Sequence, residues 1–137
     1  MRKDIYDTNY DRLIKLIPDL RDMKPGEYRK SITEGFMDLH LDILEKEKDF
    51  MRISLAHNYI QNGDNMADPD MEIKVYLIEN WNKAEALTYQ QDSMGVYQTV
   101  YPSPGRVNIR AKKEQNSFLR KWLINIKNQG HSLKEIA

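Results

Sequence analysis

The residues of this chain whose types and spacing could do chemistry are three histidines, one carboxylate in an apolar phase, and a short acidic segment. His57 continues the inward alternation of Met51, Ile53 and Leu55, and with Tyr59 it marks where that strand face changes from aliphatic to polar. Glu85 falls on the inward phase of a later strand, opposite Leu77. A carboxyl group among apolar neighbours holds its proton more tightly, which suits acid or base work. With Tyr89 on the same phase, the candidate pocket is His57, Tyr59, Glu85 and Tyr89. The plainer reading puts Glu85 at the sheet margin in reach of water and leaves His57 as a satisfied core histidine. His40, between Asp38 and Asp42 on a polar face, reads as a surface group, because side chains two apart along a strand rarely hydrogen-bond each other. His131 follows a helix stop, where a cation near the carbonyl end is favourable.

Asp64, Asp68, Asp70 and Glu72 are dense enough to hold Mg²⁺ or Ca²⁺. Their spacing fits no known metal loop, because Gly63 precedes the aspartates where the EF-hand pattern puts a glycine among them. The segment from Gln61 to Asp70 therefore reads as a solvated loop between two hairpins, with neither metal nor cofactor expected. No Gly-x-Ser-x-Gly elbow and no glycine-rich phosphate loop occurs, and the absence of cysteine removes disulfides, thiolate ligands and thiol nucleophiles.

Arg106, Arg110, Lys112 and Lys113, continued by Arg120 and Lys121 and preceded by Tyr97 and Tyr101, form a basic region of the kind that contacts phosphates and stacks on bases. It matches no RNA-recognition motif, and a solvated helix face is the plainer reading. Residues 1–80 hold 12 Lys/Arg against 17 Asp/Glu, and residues 81–137 hold 9 against 4, so a neutral chain is split into an acidic and a basic part. Such a split could draw the two parts together.

The elements that must position these groups follow from periodicity. Ile5, Tyr6, Tyr10, Leu13, Ile14 and Ile17 recur at helical spacing from Asp4 to Ile17, with Asp7, Asp11, Arg12 and Lys15 on the other side and Pro18 as the stop. Leu20–Met23 predicts a short turn and Tyr28–Ile32 an irregular segment or short strand. Met37, Leu39, Leu41 and Ile43 alternate with polar residues, as do Met51, Ile53 and Leu55. A turn centred on Glu47 sets Leu39 beside Leu55, Leu41 beside Ile53, and Asp42 opposite Arg52. Met71, Ile73, Val75 and Leu77 form a third strand. A turn at Trp81 sets Val75 against Leu87 and Ile73 against Tyr89, and turns Ala84 and Ala86 outward. Val96–Tyr101 reads as a further strand, and Lys112–Gln129 as a helix that buries Phe118, Leu119, Trp122, Leu123 and Ile126 and stops at Gly130.

The order of Asp68-Pro69-Asp70-Met71-Glu72-Ile73, Ala84-Glu85-Ala86-Leu87-Thr88-Tyr89-Gln90 and Asn116-Ser117-Phe118-Leu119-Arg120-Lys121-Trp122-Leu123 resembles the YqiB-like family, a domain-of-unknown-function family of small proteobacterial proteins. Asn9-Tyr10, Leu13, His57-Asn58-Tyr59 and Gly130-His131 extend the similarity over most of the chain. The resemblance implies a fold and a bacterial setting and brings no catalytic residues.

The expected architecture is one α+β domain over residues 1–137: an antiparallel meander sheet of four or five strands with an N-terminal and a C-terminal amphipathic helix on one face. The amino terminus Met1-Arg2-Lys3-Asp4 leads into polar sequence without an apolar run, which with the lack of cysteine points to a cytoplasmic protein and to no membrane partner. The expected function is a non-enzymatic binding or regulatory module for an unknown protein or small molecule. The alternatives are a small hydrolase using His57 and Glu85, and an RNA-binding protein using the basic carboxyl-terminal surface.

Overall fold

Asp4 opens the first helix, α1 (Ile5–Leu16), through a capping box: its carboxylate accepts from the Asp7 amide while the Asp7 carboxylate accepts from the Asp4 amide. Pro18 ends it as the sequence requires, and Leu20–Asp22 forms one 3₁₀ turn. The computed structural model describes residues 3–134; Met1 and Arg2 of the polar amino terminus lie outside the described residues, as do Glu135, Ile136 and Ala137.

Six antiparallel strands follow in meander order: β1 (Tyr28–Ser31), β2 (Asp38–Lys46), β3 (Phe50–Gln61), β4 (Asp64–Tyr76), β5 (Ala84–Gln91) and β6 (Val96–Thr99). The sheet thus exceeds the expected four or five strands. β1, ambiguous from its composition, pairs Tyr28 with Asp42 and Ser31 with Leu39.

Both hairpin registers differ from expectation, with different consequences. Between β2 and β3, Leu41 faces Leu55 and Ile43 faces Ile53, two residues away from the expected pairing, and Leu44 is bulged. A shift of two preserves the faces, so Leu39, Leu41 and Ile43 remain buried. Asp42 meets Ser54, and Arg52 pairs with Glu45 and Glu72 instead. Between β4 and β5, Leu87 is the extra residue: Glu72 faces Thr88, but Ile73 faces Ala86 and Val75 faces Ala84. One inserted residue reverses every side chain beyond it. Tyr89 keeps its inward phase, Ala84 and Ala86 turn onto the core face, and Glu85 moves to the opposite face beside Lys74. The expectation of an inward Glu85 opposite Leu77 is corrected accordingly.

The expected loop from Gln61 to Asp70 is also strand. β3 and β4 continue past the sheet to pair Gln61 with Asp64, closed by Asn62 (φ 52°) and Gly63 (φ 84°). Two consecutive positive φ values are what a two-residue hairpin turn needs, and Asn-Gly supplies them with little strain.

The second helix, α2 (Ile109–Asn128), begins at Asn108, whose side chain accepts from the Ala111 amide, and stops before Gly130 (φ 89°). It runs alongside α1 in the same direction: Asn9 donates to the Asn116 carbonyl, and beyond both helices the Leu133 amide donates to the Leu16 carbonyl. Leu13, Leu16, Leu119, Leu123 and Ile126 pack against the inward residues of β2 to β5, and each fully buried aliphatic side chain contributes about 1.5–3 kcal/mol. The polarity split is used in part: Lys83 pairs with Asp4 and Asp7, both at 2.9 Å, and fastens the β4–β5 connection to the start of α1. Among the described residues no helix is long and apolar enough to cross a membrane.

Candidate ligand-binding groove

Where α1 and α2 end side by side, a groove of about 400 Å³ lies between them. Each helix contributes one turn of its exposed flank. Arg12, Lys15 and Leu16 share a face of α1 by their three- and four-residue spacing, and Ile124, Lys127 and Asn128 share one of α2 in the same way. Leu123 and His131 complete the lining. Three cations therefore meet an apolar floor, and among the described residues no carboxylate lines the groove.

The three cations are not equivalent. Lys15 and Lys127 stand exposed in the last turns of their helices, where a positive charge complements the carbonyl ends. Arg12 has no such account: its Nη1 is buried and meets no hydrogen-bond acceptor. His131, 6% exposed, is held at Nδ1 by Ser31 Oγ (2.9 Å) and Thr33 Oγ1 (3.1 Å), and its Nε2 has no hydrogen-bond partner. Burial lowers its pKa, opposed by the Met37 carbonyl and Asp38.

His57 lies behind His131, with ring centroids 5.6 Å apart. It sits on the core face opposite Leu39, and its Nδ1 takes the indole proton of Trp122 at 3.1 Å. Because indole nitrogen only donates, Nδ1 must be the acceptor and the ring a neutral Nε2–H tautomer. Burial, with the charge of His131, pushes its pKa down to about 4. A ring in this state has no spare lone pair, so it neither takes a proton nor binds a metal without breaking the Trp122 bond.

The other residues of the sequence-derived pocket are dispersed. Glu85, on the opposite sheet face from His57, accepts from Tyr76 OH (2.7 Å) and Tyr101 OH (2.8 Å), with Lys112 Nζ at 3.6 Å. Burial and this carboxylate raise the Tyr76 pKa. Tyr89 donates to Gln91 and stands edge-on to Phe118, and Tyr59 lines an open hollow with Phe36, Met37 and His40. The structure does not bring His57, Tyr59, Glu85 and Tyr89 into one cavity.

The basic residues divide likewise. Lys112 turns to Glu85 and Tyr101, Arg110 pairs with Glu114, and Arg106 is exposed before α2. Arg110, Lys113 and Lys121 share a shallow hollow along α2 with Phe118. Of the acidic segment, Asp70 accepts from Ser54, Glu72 pairs with Arg52 and Asp68 accepts from Ser93, so these three turn to separate partners, and Asp64 stands exposed beside the hairpin turn. Burial raises the Asp70 pKa, opposed by that Ser54 bond.

Sequence reasoning missed the groove because Arg12 and Lys15 read as the solvated side of α1. The available signal was a basic residue in the last turn of each helix, Lys15 and Lys127, with Arg12 one turn before Lys15.

The fold and groove define an α+β domain with a six-stranded meander sheet under two parallel helices and a basic, half-enclosed hollow between the helix ends. The chain belongs to the family DUF6908, a domain of unknown function whose family model matches residues 9–132, from the middle of α1 to just past His131. That match agrees with the resemblance in naming a family without an assigned activity, and it lends no support to the narrower YqiB-like assignment or to a proteobacterial origin. No curated protein and no solved structure matches the chain.

Proposed function

We propose that this domain is a non-enzymatic binding module whose ligand is a small molecule held in the groove between α1 and α2. The observation that carries this reading is Arg12. Arg12 lines the groove beside Lys15 and Lys127, and no carboxylate among the described residues lines it with them, so a ligand with acceptor oxygens meets unanswered donors there. The groove also has the size and the mix of apolar wall and few polar groups that ligand sites use. The hydrolase alternative lacks comparable support, since His57 spends its only lone pair on Trp122 and Glu85 is held by two tyrosines and a lysine.

Native mass spectrometry of the full chain purified from its host tests the proposal. We expect a low-mass species retained by the wild type and lost from Ile124→Trp, which fills the groove from a partly exposed position. A species retained equally by both proteins would place the ligand elsewhere.

A further inference from the structure

Resting on the groove as the ligand site, we infer that its ligand is an organic monoanion: a carboxylate carried on a short apolar chain. Arg12, Lys15 and Lys127 surround the groove and no carboxylate among the described residues answers them, so the field favours an anion. The amount of negative charge is limited by the backbone. Both helices end at the groove, and each carboxyl end carries roughly half a negative charge. One of those carbonyls, Leu16 O, is occupied by the Leu133 amide, but among the described residues no helix start or run of amides lines the groove to hold a phosphate dianion.

The chemistry of the arginine also favours a carboxylate. Arg12 lines the groove, and a guanidinium fork matches the two oxygens of a carboxylate in one plane. Beyond that contact the wall is Leu16, Leu123 and Ile124, which offers a hydrocarbon body something to cover. His131 closes the groove's edge, its ring held at Nδ1 by Ser31 and Thr33. A simple ion bound by surface lysines needs neither the arginine fork nor the aliphatic wall. The structure puts both in one place.

The experiment titrates the full chain at fixed ionic strength with acetate, butanoate, hexanoate, octanoate, inorganic phosphate and hexylammonium, and reads the melting temperature together with tryptophan fluorescence. Trp122 reports on the site through His57 and His131, whereas Trp81 is distant in the chain and exposed. We expect saturable binding of the longer carboxylates, with affinity rising about fourfold per added methylene until the groove is full. Phosphate and hexylammonium should act no differently from a salt control.

Arg12→Gln should weaken octanoate binding at least tenfold, and Arg110→Gln, an exposed arginine of α2 outside the groove, should leave it unchanged. If Arg12→Gln does not fold, Lys15→Glu with Lys127→Glu takes its place, since both lysines are exposed. Phosphate binding as tight as octanoate, no dependence on chain length, or equal affinity in the groove variants overturns the inference. If hexanoate and octanoate fail to bind while the wild type still retains a neutral species that Ile124→Trp loses, the inference falls and the groove remains the ligand site. If no species is retained and no probe binds, both readings fall together.

Discussion

Arg12 and His57 each leave a buried nitrogen without a partner, and the two make opposite predictions about stability. Replacing Arg12 by Met keeps an unbranched aliphatic stem and removes the unsatisfied donor. Arg12→Met should therefore raise the urea midpoint of the unliganded protein, by up to about 1 kcal/mol in free energy; an unchanged or lower midpoint would show that the buried Nη1 costs the fold nothing measurable. For His57 the sign follows from protonation. Its folded pKa, about 4, lies below the ordinary 6.5, so between these values the unfolded chain binds more protons and stability rises with pH. The contribution is complete above about pH 6.5 and is lost as pH falls toward 4, with a size on the order of 3 kcal/mol. His57→Gln keeps an acceptor for Trp122 and cannot titrate, so its unfolding free energy should fall less than that of the wild type between pH 7 and 4.5. Parallel curves would place the acid sensitivity in other groups. The sequence made His57 legible, since it continues an alternation of period two. Arg12 was illegible, because a cation on a helix flank looks solvated until the second helix, far along the chain, is laid beside it.

At the level of elements, alternation gave the strand faces wherever the ladder was regular and misassigned them where it was not. The two-residue shift between β2 and β3 left the core of Leu39, Leu41 and Ile43 intact. The bulge at Leu87 exchanged Glu85 with Ala84 and Ala86, and no residue type announced it: no glycine stands there, and leucine reads as an ordinary inward position. Its reason lies in α2. The Ala86 amide, turned toward the helices, donates to Asn116 Oδ1 at 2.9 Å, and the small alanines let that helix approach. Asn116→Leu conserves volume and orphans this amide, so it should cost about 1–3 kcal/mol and speed hydrogen exchange at Ala86. A loss of only a few tenths, with exchange unchanged, would mean that the bulge is held by the chain itself. The Asn62-Gly63 turn, by contrast, was legible. The nearby aspartates and proline drew attention to a longer loop than the dipeptide requires.

On the scale of the whole molecule, sequential strand order joins neighbours along the chain, and the two helices join its ends. Composition and patterning were enough for an α+β meander with terminal helices, but they could not show how residues 130–134 close the structure. After Gly130 the chain turns back between α1 and β1. Leu133 is 1% exposed, its amide meets Leu16 and its carbonyl accepts from Arg29, which also pairs with Asp19. His131 and the Ser132 amide both reach Ser31. This short strap holds together the end of α1, the outermost strand β1 and the lower wall of the groove. Leu133→Ala leaves every backbone bond possible and removes only buried hydrocarbon, for which a core site costs about 2–5 kcal/mol. The expected loss is at the middle of that range, with Lys134→Ala, an exposed neighbour, close to neutral. If the strap works as one unit, amide exchange in β1 and in the last turn of α1 should accelerate together in Leu133→Ala, while the β3–β4 centre stays protected. Acceleration in α1 alone would show that β1 is held by its pairing with β2, and that the carboxyl-terminal strap secures the helices without binding the sheet edge to them.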